Sequence, residues 1–151
     1  MKKIKFIVMA LVGICLCGLV SCKSSNGGEN LCHHEKAEAT LFKNALEKQG
    51  TLQLVDYRSK ADYDKGHLPG AVNIPVSVVE LDGTGGDCAY VRKVMEVFDT
   101  QIPLFVYGGN DAFGTNGMAV PGQLACKYTS VSLMVGGYDA WVKAGLPTTT
   151  E

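Results

Sequence analysis

The stretch from Pro103 to Gly117 constrains the fold more than any other part of the chain. An apolar run of strand length, Pro103 to Tyr107, continues into a glycine-rich loop, Gly108 to Gly117, and then into a segment of helical character, Met118 to Tyr128. Strand, loop and helix in this order are typical of α/β ligand sites. Ligands bind outside the carboxyl ends of parallel strands, where N–H groups at a helix start hold anions. We therefore expect the ligand site at this loop.

The N-terminus has the pattern of an export signal. Three lysines, at positions 2, 3 and 5, surround the start of an acid-free apolar run that ends with the residues LVSC at positions 19–22. A basic region, a short apolar region and small residues before a break are typical of a secretory signal, and LVSC resembles a bacterial lipobox. We predict a lipoprotein signal peptide over residues 1–21 and a lipid on Cys22. The protein would then be anchored to a membrane of the cell envelope, facing the periplasm or the cell surface. An uncleaved anchor and a plain secretory signal are the alternatives.

Charge excludes one class of partner. Removal of residues 1–21 takes away three of the 14 basic residues and none of the 15 acidic ones, which leaves a net charge of 11 − 15 = −4. A mildly acidic domain without a basic run has no electrostatic footprint for nucleic acid. We expect no nucleic-acid partner.

Residues 22–37 are predicted to be a flexible tether. Serine, asparagine, glycine and charged residues dominate this segment, and such a composition buries too little apolar area to order a backbone. Cys32, His33 and His34 are ligand types for zinc, but a structural zinc needs four ligands and no second cluster follows. We expect no metal and no cofactor.

Strands and helices alternate through the rest of the chain. Helical spacing of Leu41, Phe42, Ala45 and Leu46 predicts an amphipathic helix over Ala37 to Gln49. The other predicted elements are a strand over Thr51–Tyr57, a helix over Lys60–Lys65 capped by Ser59, a short strand before Pro75, a helix capped by Asp87, and strands over Pro103–Tyr107 and Ser130–Val135. Such alternation predicts a parallel sheet covered on both faces.

Two motifs resemble those of the rhodanese homology domain. The first comprises Asp56-Tyr57-Arg58, Tyr63 and the run GHLPGAVNIP from Gly66 to Pro75; the usual family form begins Asp-Val-Arg and continues Gly-His-Ile-Pro-Gly-Ala-x-Asn-Ile-Pro. The second runs from Gly136 to Trp141 (GGYDAW) and ends with the residues AGLP at 144–147. A motif of this length arises by chance far less often than a lone glycine pattern. The resemblance implies a three-layer α/β fold over residues 38–151, with a mostly parallel five-stranded central sheet and helices on both faces.

The resemblance also implies a catalytic position that this chain does not fill. In catalytic members the strand before the loop ends Tyr-Cys, and that cysteine carries a persulfide, whereas here Tyr107 is followed by Gly108. A glycine has no atom that can attack sulfur. The loop contains Asp111 and no lysine or arginine, so it lacks the cation that lowers a thiol pKa and holds an anionic substrate. Compared with the common single-domain pattern of the family it resembles, the chain is also a couple of residues longer here.

Three motif residues have structural interpretations beside the functional ones. Asp56 and Arg58 at a strand end are expected to pair with each other and orient the loops, and His67 is expected to satisfy backbone groups in its turn. Trp141 is expected in the core, where its ring buries a large area.

Three cysteines remain after the signal and Cys22: Cys32, Cys88 and Cys126. An odd number in an oxidising compartment leaves at least one free thiol or an intermolecular pair. A disulfide between Cys88 and Cys126 is one possible pairing, which the sequence alone does not decide. Cys88 begins a predicted helix, and thiols at helix N-termini are the more reactive ones as a class, which makes it the first candidate for a displaced nucleophile.

The sequence thus predicts a membrane-anchored rhodanese-like domain without standard sulfurtransferase activity, acting as a binding or regulatory module. The alternative is sulfur transfer by a displaced cysteine such as Cys88. A small anion or a protein partner is expected at the loop, where the candidate residues are Gly108, Gly109, Asn110, Asp111, Ala112, Phe113 and Gly114. Phe113 is either a partner contact or an inward-packed anchor of the loop.

Overall fold

A computed structural model describes residues 34–81, 86–109 and 120–151. Their elements in chain order are β1 (Glu35–Ala37), α1 (Ala39–Leu46), β2 (Leu54–Asp56), α2 (Lys60–Lys65), β3 (Val72–Asn73), a 3₁₀ turn (Val78–Leu81), α3 (Ala89–Val97), β4 (Leu104–Tyr107), α4 (Val120–Ala125), β5 (Val131–Met134) and α5 (Gly137–Lys143). No helix among these residues is long and apolar enough to span a bilayer.

The five strands form one sheet in the order β1-β5-β4-β2-β3, and every pair is parallel. Helices cover both faces, which confirms the predicted α/β class and strand number. A hydrophobic core lies on each face of the sheet, and successive side chains of β4 point to opposite faces. Leu104 and Val106 therefore belong to the core on one face, and Phe105 and Tyr107 belong to the core on the other. Helices α3 and α4 pack on the first face, and α1, α2 and α5 pack on the second.

The tether was predicted too long at its C-terminal end. Residues 35–37 form β1, which pairs with β5. In this pairing Glu35 lies opposite Ser132 and Ala37 lies opposite Met134. Glu35 and Lys36 are exposed, so this strand shows no apolar run in the sequence. Its order comes from hydrogen bonds to β5, which a sequence pattern does not reveal.

Several predicted boundaries and faces also differ. Helix α1 is shorter than the predicted span of 37–49, and Leu41, which was assigned to its apolar face, is 62% exposed, whereas Phe42 is fully buried. Ser59 caps α2 as predicted, by accepting the Asp62 N–H. Asp87 does not cap α3: Cys88 is the cap residue and makes no side-chain cap bond, while Asp87 pairs with Arg92 at 3.0 Å.

Candidate functional site

The carboxyl ends of β2 and β4 lie side by side and form the floor of the candidate site. Asp56 is in register with Tyr107, and the Tyr57 N–H donates to the Tyr107 carbonyl at 3.1 Å. The residues that follow the two strands, Tyr57 and Gly108, are therefore neighbours. This is the sheet edge at which parallel α/β proteins bind ligands.

Asp56 and Arg58 form a buried ion pair beneath this edge. Arg58 Nε lies 3.0 Å from both carboxylate oxygens of Asp56, and Nη2 lies 2.6 Å from Oδ2. The same Nη2 donates to the Gly66 carbonyl at 2.7 Å. Burial lowers the pKa of Arg58, but the hydrogen bonds and charge of Asp56 outweigh it and leave that pKa raised. The guanidinium thus makes structural contacts, which join β2 to the end of α2.

Aromatic rings enclose the guanidinium of Arg58. Its central carbon lies 3.9 Å from the ring centroid of Tyr138 and 5.6 Å from that of Tyr107. The Tyr107 hydroxyl in turn accepts the Leu68 N–H at 3.0 Å. Both rings restrict the guanidinium to the geometry that suits Asp56.

His67 is buried and contacts main-chain oxygens. Its Nδ1 lies 3.0 Å from the Tyr63 carbonyl oxygen and its Nε2 lies 3.1 Å from the main-chain oxygen of Glu151. The ring stacks on Tyr63 with centroids 3.6 Å apart, and the backbone exchanges two hydrogen bonds with Thr149. This residue connects the C-terminal segment to α2.

Tyr57 lies directly against Gly108. A Cβ atom added to Gly108 would be 2.1 Å from Tyr57 Cε2, 2.4 Å from Cζ and 2.7 Å from the hydroxyl oxygen. Tyr57 is only 4% exposed. Burial, and secondarily the charge of Asp56, raises the pKa of Tyr57 to about 12. The phenol is therefore protonated at neutral pH and is not a nucleophile there.

The backbone of Gly108 is held from the other side by the start of α5. Its carbonyl accepts the Tyr138 N–H at 2.8 Å. Gly137 has a φ of +56°, and a Cβ on it would be 2.3 Å from the Gly108 oxygen and 2.4 Å from the Gly109 oxygen. Gly137 thus permits an approach of α5 to this edge that no residue with a side chain would allow.

Most of the predicted loop residues lie outside the described part of the chain. These are Asn110, Asp111, Ala112, Phe113 and Gly114, and the same holds for Cys22, Cys32 and His33. Of the loop candidates, Gly108 and Gly109 are described.

The two described cysteines are in different chemical states. Cys88 is a free thiol, is 1% exposed and belongs to the core under α3. Cys126 is disulfide-bonded, so Cys88 is not its partner and the Cys88–Cys126 disulfide does not form. The residues that the structure describes therefore offer no accessible free thiol. They also contain no group of three His, Cys, Asp or Glu side chains suited to a metal ion.

The sequence motif contains two residues that shape the site and to which the sequence alone assigned no role. Asn73 donates its Nδ2 to the carbonyls of Asp56 and Arg58, both at 3.0 Å, and so fixes the turn after β2. Tyr57 was identified only as part of the motif. The signal that could have found it is the difference between Asp-Tyr-Arg here and Asp-Val-Arg in the family pattern, which places a ring where a small side chain is usual.

Comparison with known proteins agrees with this geometry. A family model for the rhodanese-like domain matches residues 38–144. Thiosulfate sulfurtransferase 16, chloroplastic, of Arabidopsis thaliana is 31% identical over 94 residues, which are 62% of this chain and 77% of that protein. Adenylyltransferase and sulfurtransferase MOCS3 of Drosophila ananassae is 28% identical over 134 residues, 83% of this chain but only 26% of that much longer protein.

Solved structures show the same fold. The rhodanese-like domain of the Alr3790 protein from Anabaena sp. superposes with a TM-score of 0.58 at 22% identity, covering 79% of this chain and 81% of that one. A rhodanese-like domain protein from Staphylococcus aureus gives a TM-score of 0.51 at 19% identity, covering 71% and 90%. With the family match spanning most of the sequence, this chain belongs to the family of rhodanese-like domains.

Proposed function

We propose that this protein is a rhodanese-like domain without standard sulfurtransferase activity, and that it acts as a binding or regulatory module in the cell envelope. The observation that carries the proposal is that residue 108 is a glycine. It directly follows β4, the position at which the family resemblance puts the nucleophilic cysteine, and it has no side chain. Persulfide formation needs a thiolate at the reacting atom, so this position cannot start the reaction.

The surroundings of Gly108 support the same conclusion. Arg58, the cation nearest to this edge in the motif, has its guanidinium bound to Asp56 and to the Gly66 carbonyl. Tyr57, the side chain packed against Gly108, is a protonated phenol at neutral pH. Neither group supplies the nucleophile or a free positive charge for an anionic sulfur donor such as thiosulfate.

Sulfur transfer by Cys88 is the competing proposal, and burial argues against it. Its thiol is 1% exposed and packs among apolar residues of the core under α3. A sulfur donor would have to enter that core before it could react. The relatives named as sulfurtransferases establish the ancestry of the scaffold, but activity depends on the residue at the site.

Turnover of thiosulfate and cyanide by the full chain, purified in mild detergent, tests the proposal. We expect no thiocyanate above the buffer blank. Intact-mass measurement after thiosulfate treatment is expected to show no added sulfur atom on any cysteine. Thiocyanate formation, or a persulfide that disappears in a Cys88→Ala variant, would show that the chain is an enzyme and identify its nucleophile.

Partner binding is proposed for the segment from Gly108 to Gly117, which the sequence predicts to be a loop. The sequence supports this proposal, because the loop is long and rich in glycine, so its N–H groups are open to a ligand. A protein partner and a small anion are separable by experiment. Saturable stabilisation by sulfate or phosphate in a melting assay would indicate an anion, whereas crosslinking that requires Phe113 would indicate a protein surface.

Membrane attachment through a lipid on Cys22 is the last part of the proposal. Its support is the basic, apolar and small-residue order of residues 1–22. A Cys22→Ser variant should lose both metabolic labelling with a fatty acid and its membrane association, whereas a Cys32→Ser variant should retain both. Equal labelling of the two variants would contradict lipidation at Cys22.

A further inference from the structure

Tyr57 and Gly108 are matched in size across the carboxyl edge of the sheet. Three Tyr57 atoms, Cε2, Cζ and the hydroxyl oxygen, would lie within 2.7 Å of a Cβ on Gly108. Carbon atoms in proteins pack at about 3.5–4.0 Å. Even an alanine at position 108 would thus overlap the ring, and a cysteine would add a sulfur atom beyond the overlapping Cβ.

The ring of Tyr57 has little freedom to move away. It is 4% exposed and packs in the same core as Val55, Ile74 and Cys88. Its backbone is bonded on both sides, because its N–H donates to the Tyr107 carbonyl at 3.1 Å and its carbonyl accepts the Val76 N–H at 3.4 Å. Cores packed to crystal density accommodate an added group only by displacing neighbours.

Gly108 is equally restricted. The Tyr138 N–H holds its carbonyl at 2.8 Å, and the close approach of Gly137 leaves no room for its backbone to retreat toward α5. A larger residue at position 108 therefore meets the Tyr57 ring, while the hydrogen bond from Tyr138 holds its backbone in place.

We propose that Tyr57 is the residue that determines which side chain position 108 can carry, and that it closes this position to a thiol. The inference rests on the proposed function in one respect, namely that Gly108 stands where the family's cysteine does. Its consequence is that at least two positions, 57 and 108, separate this site from one that could hold a thiol at position 108. Restoring a cysteine alone leaves the volume for its side chain occupied by the ring.

Substitutions in three backgrounds of the full chain separate the effect of the ring from that of the hydroxyl. Gly108→Cys is made in the parent, in Tyr57→Phe and in Tyr57→Val. Phenylalanine keeps Cε2 and Cζ, the two nearest atoms, so it is the matched control. Valine has none of the three overlapping atoms. The readouts are the midpoint of thermal unfolding and the rate at which the introduced thiol is alkylated in the native protein, assigned by peptide mapping.

We expect Gly108→Cys to lower the unfolding midpoint by roughly 5–12 °C in the parent and Tyr57→Phe backgrounds. In the Tyr57→Val background the same change should lower it by less than about 3 °C, and the introduced thiol should react at least about tenfold faster than in Tyr57→Phe. Gly108→Ala adds the same Cβ without sulfur, and it provides the stability comparison if a cysteine variant does not fold.

Two results would overturn the inference: an unchanged midpoint for Gly108→Ala in the parent, or equal losses in the Tyr57→Phe and Tyr57→Val backgrounds. Failure of the proposed function has a different signature, which is thiocyanate production by the unmodified chain. The stability comparison does not depend on that assay, so the two failures are distinguishable.

Discussion

Arg58 holds Asp56 through three side-chain contacts of 2.6–3.0 Å while its own Nη2 reaches the Gly66 carbonyl. The carboxylate is fully buried and the guanidinium side chain is 9% exposed. This pair joins the end of β2 to the turn after α2, and thereby positions the backbone beside Gly108. The family motif at this point is thus a structural support for the site edge in this chain.

Removing one member of this pair should be costly. Asp56→Ala leaves a buried guanidinium without its counter-charge, and we expect a loss of about 3–5 kcal/mol in the free energy of unfolding. Urea titration of the variant and the parent measures this difference in the free energy of unfolding. Lys43→Ala, which breaks the exposed pair with Glu47, is the control and should cost about 0.5 kcal/mol or less. Similar losses in the two variants would show that the Asp56 pair is not the support described here.

Gly137 should tolerate no side chain. An alanine there combines a φ of +56° with a Cβ 2.3 Å from the Gly108 oxygen, so we expect a loss of at least about 2 kcal/mol. Gly50→Ala is the matched control, because a Cβ on Gly50 has no atom within 4 Å, and it should stay within about 0.5 kcal/mol of the parent. Thermal unfolding of both variants decides the question, and a parent-like Gly137→Ala would contradict the close packing at this edge.

The two described cysteines should differ in labelling. In the native, unreduced full chain, iodoacetamide should leave both Cys88 and Cys126 unmodified, because the first is buried and the second is disulfide-bonded. Denaturant without reductant should expose Cys88 alone, and reductant should be needed for Cys126. Peptide mapping by mass spectrometry follows each step. Alkylation of Cys126 before reduction would rule out its disulfide.

Stability should fall at alkaline pH, and Tyr57 should contribute to the fall. Its pKa is about 12 in the folded protein against an ordinary value of 10.0, so its contribution is complete below pH 10 and is lost as the pH rises toward 12. Over that interval each such tyrosine lowers the unfolding free energy by up to about 1.4 kcal/mol per pH unit. Urea titrations at several pH values should therefore give a shallower alkaline slope for Tyr57→Phe. Parallel slopes in variant and parent would contradict the raised pKa.

The sequence by itself determined the fold family and most of the elements. The runs from Gly66 to Pro75 and from Gly136 to Trp141 are local signals, in which turn residues and a buried tryptophan occur at fixed spacing, so a single chain reveals them. Burial of the β4 strand also follows from a local pattern, since a continuous apolar run is typical of a strand covered on both faces.

Only the tertiary structure decided what depends on residues distant along the chain. Strand β1 has two exposed residues of three and owes its place to β5, and Asp87 lies one residue before the position that caps α3. The contact of Tyr57 with Gly108 joins residues about fifty positions apart, and it arises because β2 and β4 are neighbours in the sheet. The sequence shows that residue 108 is a glycine and has no side chain. The tertiary structure shows that the Tyr57 ring occupies the volume in which a side chain at position 108 would lie.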